Sequence, residues 1–336
     1  MVSTADGQWT FASLTNVPGP AGIAVLALGN ASLRLVRTVS LPAQLRQADG
    51  MALTHDGRFL LVAGYTATAV LRVAALEDGS PAPIVGVLPA SGAGQWEVAV
   101  TGDDRYAFVT DEASGDLSVY NLATALQSGF SAPGVAAGFV RLAVGAVGVA
   151  IAPSGRQIYV TTYDAYGPHG QLWVLDVARV ESGAGSAAIL GHVAAGCQPV
   201  RVAVAPSGST VWVTALQSDA LLGFSAPDLV ADPAQALRAV VPVGSEPVGL
   251  ILIDGGQLAL VGNSDRGLVL GTGSDTPQTV SVVSTAAALA HRPSVLGAVQ
   301  AGLFPRDLSF DQASGEILVA NYNSGTVEEF PAPPLR

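Results

Sequence analysis

The chain has 336 residues, of which 49% are hydrophobic and only 12% charged, about half the charged fraction usual for a soluble domain. Fifteen arginines and no lysine stand against 26 aspartates and glutamates, which gives a net charge of −11. The absence of lysine excludes Schiff-base catalysis, a pyridoxal-phosphate anchor and a P-loop. The acidic balance argues against nucleic acid as a partner, and the single cysteine, Cys197, excludes an intrachain disulfide.

A sequence unit of about 50 residues recurs along the chain, which is typical of propellers and repeat arrays. Each unit begins with a short apolar strand, a turn of the form Pro-Ser/Asp-Gly, and a second strand that ends near Thr or Asn. In chain order these segments lie at 1–16, 51–63, 98–110, 149–161, 202–214, 250–262 and 308–321. The residues that follow each of these segments are numerous enough to form two further strands, for example at 117–121 and 139–144.

Seven units of four short antiparallel strands predict an all-β fold, a seven-bladed β-propeller that forms a single domain. The predicted blades lie at approximately 1–44, 45–93, 94–145, 146–196, 197–244, 245–302 and 303–336. The seventh unit ends after its third strand at 326–330, and the proline-rich residues 331–336 do not suit a fourth, because proline donates no ladder hydrogen bond. We therefore expect the last blade to be incomplete.

Residues 149–161, VAIAPSGRQIYVT, and residues 325–328, GTVE, resemble the YVTN repeat of lactonase-like seven-bladed propellers, and the resemblance covers nearly the whole chain. It implies a propeller fold. The family includes sugar-lactone hydrolases, lactone-forming cycloisomerases and members of no known activity. The resemblance therefore does not select one activity, because proteins of one fold differ in function.

Neither an export signal nor an apolar run of 18 residues is present in the chain as given, so we predict a soluble protein without a membrane span. We expect the natural gene to encode residues before Met1 that supply the missing strand, with or without an export signal. The location stays open, and it is extracytoplasmic if such an upstream segment is removed. A monomer is expected.

In a propeller the first strand of each blade lines the central channel. The residues just before the first strands alternate between small and charged: Gly50, Glu97, Gly148, Arg201, Gly249 and Asp307. The next position outward adds Asp49, Trp96 and Arg306. Two arginines facing carboxylates at a partly desolvated channel mouth fit an acidic or carbonyl-bearing ligand, because guanidinium forms bidentate hydrogen bonds to such groups. The alternative is a ring of ion pairs that ties the blades together.

Two loops between second and third strands, 162–170 and 263–278, are long, and long loops on a rigid scaffold commonly carry binding function. They contribute candidates for a pocket rim on the same face: Tyr163, Asp164, Tyr166, His169, Asp265 and Arg266. Packing within the loop is the alternative role for the tyrosines.

The first functional hypothesis is an enzyme that opens or closes a lactone-like ring. Glu97 would be the general acid or base, and His169 an alternative proton carrier. Arg201 and Arg306 would stabilise the oxyanion, while Asp307 would orient an arginine. The resemblance implies His, Glu and Arg at the mouth, but no histidine falls on the inner ring, which favours an isomerase or cyclase over a hydrolase. The alternative hypothesis is a non-catalytic propeller that binds a ligand or a protein.

No cofactor and no metal are predicted, and the expected partner is a small-molecule substrate or ligand. Four scattered histidines and one cysteine lack zinc-site spacing. A run of carboxylates lacks the order of a calcium-binding EF-hand loop and is predicted to cap turns instead: Asp103, Asp104, Asp111, Glu112 and Asp116.

Overall fold

The computed structural model describes residues 1–15, 20–29, 32–89, 91–163, 170–265, 278–311 and 314–332. Within these residues, 27 strands form seven sheets, six of four strands and one of three. The fold is a seven-bladed β-propeller of antiparallel blades, and the last blade has three strands, as the repeat and the proline-rich tail predict.

Each blade takes its strands from consecutive residues. The strands of blades 1 to 3 are β1 (Val2–Ser3), β2 (Trp9–Leu14), β3 (Gly22–Gly29), β4 (Ser32–Ser40), β5 (Met51–Leu53), β6 (Phe59–Gly64), β7 (Ala67–Arg72), β8 (Ile84–Pro89), β9 (Gln95–Val100), β10 (Tyr106–Asp111), β11 (Asp116–Asn121) and β12 (Ala136–Arg141). Those of blade 4 are β13 (Ala146–Ile151), β14 (Gln157–Thr162), β15 (Gln171–Asp176) and β16 (Ile189–Ala194).

The strands of blades 5 to 7 are β17 (Pro199–Val204), β18 (Thr210–Ala215), β19 (Ala220–Ser225), β20 (Leu237–Pro242), β21 (Pro247–Ile253), β22 (Leu258–Asn263), β23 (Thr279–Ser284), β24 (Val295–Gln300), β25 (Pro305–Asp311), β26 (Glu316–Asn321) and β27 (Thr326–Pro331). Short helices follow the third strand of several blades: α1 (Val73–Glu77), α2 (Leu122–Ser128), α3 (Val177–Glu181), α4 (Asp228–Ala231) and α5 (Thr285–Leu289). No helix in the described part of the chain has the length and apolar character needed to cross a membrane.

The turn between the first and second strands is built by side chains that bond the local backbone. In blade 2, Asp56 Oδ1 accepts hydrogen bonds from Thr54 Oγ1 at 2.6 Å and from Arg58 N at 2.9 Å. Gly57 follows with a φ of 70°, a conformation that glycine adopts without strain. The short polar motif of the repeat therefore encodes a tight hairpin.

The second strand of a blade is mostly apolar, and in several blades it is buried on both faces. All six residues of β6 and all six of β18 are buried. Phe11, Leu60 and Leu71 belong to one core cluster, and Trp212, Leu221 and Val261 to another. Burial of each large apolar side chain contributes on the order of 2 kcal/mol to stability.

The threonine near the end of the repeat ties one blade to the next. Its hydroxyl donates a hydrogen bond to a backbone carbonyl on the first strand of the following blade, or beside it, in three cases: Thr110 to Val147 at 2.9 Å, Thr161 to Val200 at 2.8 Å and Thr214 to Val248 at 3.1 Å. A buried carbonyl without such a donor would cost about 1–3 kcal/mol, which is the physical reason for a hydroxyl at this point of the motif.

Contacts group the chain into two compact units. Unit 1 comprises Met1–Ile151, Gly155–Ile158 and Leu175–Ile189. Unit 2 comprises Ala152–Ser154, Tyr159–Val174 and Leu190–Arg336. Blades 1 to 3 lie in unit 1, blades 5 to 7 lie in unit 2, and the residues of blade 4 are divided between the two.

Candidate functional site

Several of the predicted site residues lie at a β-bulge in the first strand of their blade. In blade 3, Val98 pairs with Val109 and Gln95 with Asp111, so Trp96 and Glu97 together oppose one residue of β10. The first strand shifts register at the equivalent place in blades 5, 6 and 7. Bulges bend a strand and re-aim its side chains.

The bulge corrects one expectation from the sequence. Glu97, Arg201 and Asp307 were expected just before the first strands, but they lie inside β9, β17 and β25. The reason is that pairing resumes on the far side of the extra residue and lengthens each strand toward its beginning.

The residues that directly precede β17, β21 and β25 have left-handed backbone. Gln198, Glu246 and Phe304 have φ values of 50°, 49° and 58°. This conformation costs an ordinary residue about 1 kcal/mol or more. A proline follows each of them, and its ring fixes the next φ near −65°. The chain therefore turns into β17, β21 and β25 in the same way.

In unit 1 the structure brings Asp49, Trp96 and Glu97 together around Gly50. Gly50 N donates to Trp96 O at 2.7 Å, and Glu97 N donates to Thr110 Oγ1 at 3.0 Å. A Cβ on residue 50 would lie 2.7 Å from Glu97 Oε1 and 2.6 Å from Trp96 O. Only glycine leaves room for the Glu97 carboxylate at this position. Asp49 is buried beside this contact.

In unit 2 the structure brings Arg201 and Asp307 into electrostatic contact. Arg201 N donates to Thr214 Oγ1 at 3.1 Å, and Leu308 N donates to Asp307 Oδ1 at 3.0 Å. Burial opposes ionisation of Asp307, but nearby positive charge, of which the Arg201 guanidinium is the smaller part, outweighs burial together with hydrogen bonding and lowers the pKa of Asp307. The two residues belong to blades 5 and 7, and blade 6 has Gly249, without a side chain, at the equivalent position. Both groups are charged at neutral pH.

Arg306, the extra residue of the bulge in β25, lies over an aromatic ring. Its guanidinium carbon is 5.0 Å from the centre of the Tyr322 ring, a cation–π geometry. Phe304 packs edge-on against the same ring at 5.3 Å. Tyr322 is not among the residues that the sequence predicts for the site. The pattern that indicates it is a tyrosine directly after the second strand, which recurs as Tyr65 and Tyr163.

The loop candidates divide into two sets. Tyr163 is partly buried and follows β14 in unit 2. Asp265 has a left-handed φ of 43°, and burial together with the nearby Asp219 raises its pKa. The other loop candidates lie outside the described residues: Asp164, Tyr166, His169 and Arg266.

One buried carboxylate, Asp111 at the end of β10, has a strongly altered acidity. Burial raises the pKa of Asp111 to about 7, and the nearby charge of Asp116 adds to the increase, although the side chains of Ser118 and Gln95 lower it. Ser118 Oγ donates to Asp111 Oδ2 at 2.5 Å, and Gln95 Nε2 donates to the hydroxyl of Tyr120 at 2.8 Å. Asp116 in turn pairs with an arginine, so this part of blade 3 is a polar network enclosed by apolar strands.

The described residues contain no group of three or more His, Cys, Asp or Glu side chains that is arranged to hold a metal ion. The carboxylates of the run in blade 3 instead accept hydrogen bonds from the chain. Asp103 Oδ1 accepts from Thr101 Oγ1 at 2.7 Å, and Asp104 accepts from two backbone amides of the blade 2 turn, His55 N and Asp56 N.

Comparison with known proteins gives a likeness of fold. No protein-family model matches the chain, and no curated protein matches it. Hydrazine synthase of Kuenenia stuttgartiensis is similar in structure with a TM-score of 0.74 and 14% identity, over 98% of this chain and 94% of that one. A 6-phosphogluconolactonase-like protein of Bacteroides uniformis gives a TM-score of 0.71 and 15% identity, over 96% and 91% of the two chains. At these identities the likeness shows the propeller fold alone, and 1267 matching chains of solved structures make that fold too common to select a function.

Proposed function

We propose that the protein is an enzyme that acts on a polar carbonyl or carboxylate substrate, either as a lactonase-like hydrolase or as a ring-forming or ring-opening isomerase. The observation that carries the proposal is the Arg201 guanidinium, which belongs to a bulged segment and is one of the positive groups that favour the ionised form of Asp307. The resemblance of residues 149–161 to the YVTN repeat supports it, as does the likeness in fold to a 6-phosphogluconolactonase-like protein.

In this proposal Arg201 and Arg306 bind the substrate oxygen that becomes negative in the transition state. Asp307 orients the Arg201 guanidinium, and Tyr322 holds Arg306 from its aromatic face. In the hydrolytic form of the reaction, water adds to the ester carbonyl, the ring C–O bond breaks, and a proton passes to the departing oxygen. The role of proton carrier is assigned to Glu97 from the sequence alone.

Turnover of a panel of sugar lactones and hydroxy acids, followed by proton release in a weakly buffered solution at pH 7, tests the proposal. Loss of one oxyanion-stabilising group costs about a hundredfold to a thousandfold in kcat. Arg201→Ala is therefore expected to lose about a hundredfold or more. Glu97→Gln, tested separately, is expected to lower kcat with little change in KM.

Arg72→Gln is the matched control, because Arg72 is an exposed arginine at the end of β7. It should retain wild-type turnover. Turnover that survives Arg201→Ala would overturn the assignment of Arg201, and the absence of turnover with every member of the panel would overturn the enzyme proposal for this substrate class.

A non-catalytic ligand-binding propeller is the second candidate, because a guanidinium held beside a carboxylate can bind an acidic or carbonyl-bearing ligand without turning it over. A compound that raises the melting temperature of the wild type but not of Arg201→Ala, and that is not turned over, would support ligand binding alone.

A further inference from the structure

A groove on the outer side of unit 2 runs between the last strand of blade 5 and the turn that follows α5. Its volume is about 500 Å³, which is in the range of ligand-binding clefts. One wall is β20, with Val240 and Pro242. The other is the segment from His291 to Val295, and Ala288 of α5 also lines the groove.

One wall of the groove is formed by an edge strand. β20 is the outermost strand of its blade, and it pairs on one side only, with β19, within the described residues. Exposed apolar side chains border this edge: Leu237 is 48% exposed, Val240 is 59% exposed, and Val295 across the groove is 46% exposed. An open strand edge next to apolar side chains is the surface on which extended peptides add a strand.

The far wall is held in place by backbone hydrogen bonds. His291 ends α5 with a left-handed φ of 52°, where glycine is usual, and His291 N donates to Ala288 O at 3.0 Å. Arg292 N donates to Ala287 O at 2.9 Å, and the carbonyl of the buried Ser294 accepts from Ser284 N at 2.8 Å. The groove is therefore formed before any ligand arrives.

The charges of this groove are opposite in sign to those of the protein as a whole. Among the described residues that line it, Arg292 is a cation and none is a carboxylate, although the net charge of the chain is −11. The Arg292 guanidinium has no ion-pair or hydrogen-bond partner among the described residues. Arg238, on β20, is paired with Asp228 at 2.6 Å, so it is already neutralised.

We propose that this groove binds a short extended segment of a partner protein, which adds to the free edge of β20, seats an apolar side chain between Val240 and Val295, and places a carboxylate at Arg292. The exposed border from Leu237 to Val240 spans about 10 Å of strand, the length of three to four extended residues. A linear apolar border with one cationic end fits such a segment, and the proposal does not depend on the proposed enzyme function.

Selection of a phage-displayed random hexapeptide library on the immobilised full-length protein tests the proposal. The expected result is a consensus with an apolar residue and an Asp or Glu within three positions of it. A synthetic peptide of that sequence, labelled with fluorescein, is then titrated by fluorescence anisotropy. Arg292→Gln should weaken its binding by about threefold, as expected for loss of an exposed ion pair. Val240→Ser should weaken it by about fivefold, as expected for lost apolar burial.

Two matched controls separate this groove from the general surface. Arg72→Gln removes an exposed arginine of another blade, and Val144→Ser removes a valine that is 55% exposed elsewhere. Both should bind the peptide as the wild type does. The proposal is overturned if the library yields no consensus, if the selected peptides lack an acidic residue, or if the groove variants bind them normally. It is also overturned if the protein dimerises in light scattering and Val240→Ser makes it monomeric, because the occupant is then a second copy.

Discussion

Replacing Asp111 by asparagine is expected to stabilise the protein at neutral and alkaline pH, because burial raises the pKa of this carboxyl to about 7. In the unfolded chain its pKa returns to the ordinary value of 3.8. Between these values the unfolded state has released the proton while the folded state still holds it. The free energy of unfolding therefore falls as the pH rises from about 4 to about 7, and this contribution is constant above that window.

The magnitude follows from the two pKa values. A difference of about three units corresponds to about 4 kcal/mol of lost stability at pH 8. Asparagine removes this loss and can still accept the hydrogen bond of Ser118 through its carbonyl oxygen. The asparagine amide takes the place of Asp111 Oδ1, a buried atom without a hydrogen-bond partner among the described residues. Leaving that amide buried without a partner costs about 1–2 kcal/mol. The net expectation is a gain of about 2 kcal/mol at pH 8 and a loss of about 1 kcal/mol at pH 4.

Urea unfolding of wild type and Asp111→Asn at pH 4.5, 6, 7 and 8, followed by tryptophan fluorescence, measures the difference directly. The difference in free energy of unfolding should change sign between the lowest and the highest pH. Asp116→Asn is a useful second variant, because the Asp116 charge contributes to the raised pKa of Asp111 and its removal should narrow the pH window. A difference that is the same at all four pH values would refute the reasoning, because the carboxyl would then titrate alike in both states.

Three further substitutions, with Gly102→Ala as a control for one of them, test the packing and the ionisation of the site by urea unfolding. Thr214→Val removes the hydroxyl that donates to Val248 O at 3.1 Å and should cost about 1–3 kcal/mol at every pH; an unchanged midpoint would contradict it. Gly50→Ala places a Cβ within 2.7 Å of neighbouring atoms and should cost more than about 2 kcal/mol, whereas Gly102→Ala, with open space at its Cβ, should cost less than about 1 kcal/mol; equal costs would be inconsistent with the crowding. Asp307→Asn removes a carboxyl whose pKa is lowered in the folded protein. In the wild type this ionised carboxyl stabilises the fold above about pH 4, and the stabilisation is lost as the pH falls through the lowered pKa. The stabilisation should be absent in the variant, and an effect that does not depend on pH would exclude this ionisation as the cause.

The sequence alone determines the blades of this protein. The turn residues around Asp56 and Gly57 act within a few positions of one another, and the apolar runs that follow them are buried whichever blade they belong to. Such local patterns repeat with the unit and predict the seven sheets, including the three strands of the last one. Glu97, Arg201 and Asp307 could be aligned as equivalent for the same reason.

The tertiary structure decides the setting of those residues. The bulges depend on pairing between strands. Glu97 and Arg201 therefore lie inside β9 and β17, although the sequence pattern predicts that these strands begin directly after these two residues. The lowered pKa of Asp307 depends in part on the Arg201 guanidinium, more than 100 positions away along the chain. The raised pKa of Asp111 depends on burial. The sequence alone could not distinguish a buried aspartate from one that caps a turn. Burial and charge proximity arise between segments that are distant in sequence, and only the packed blades bring those segments together.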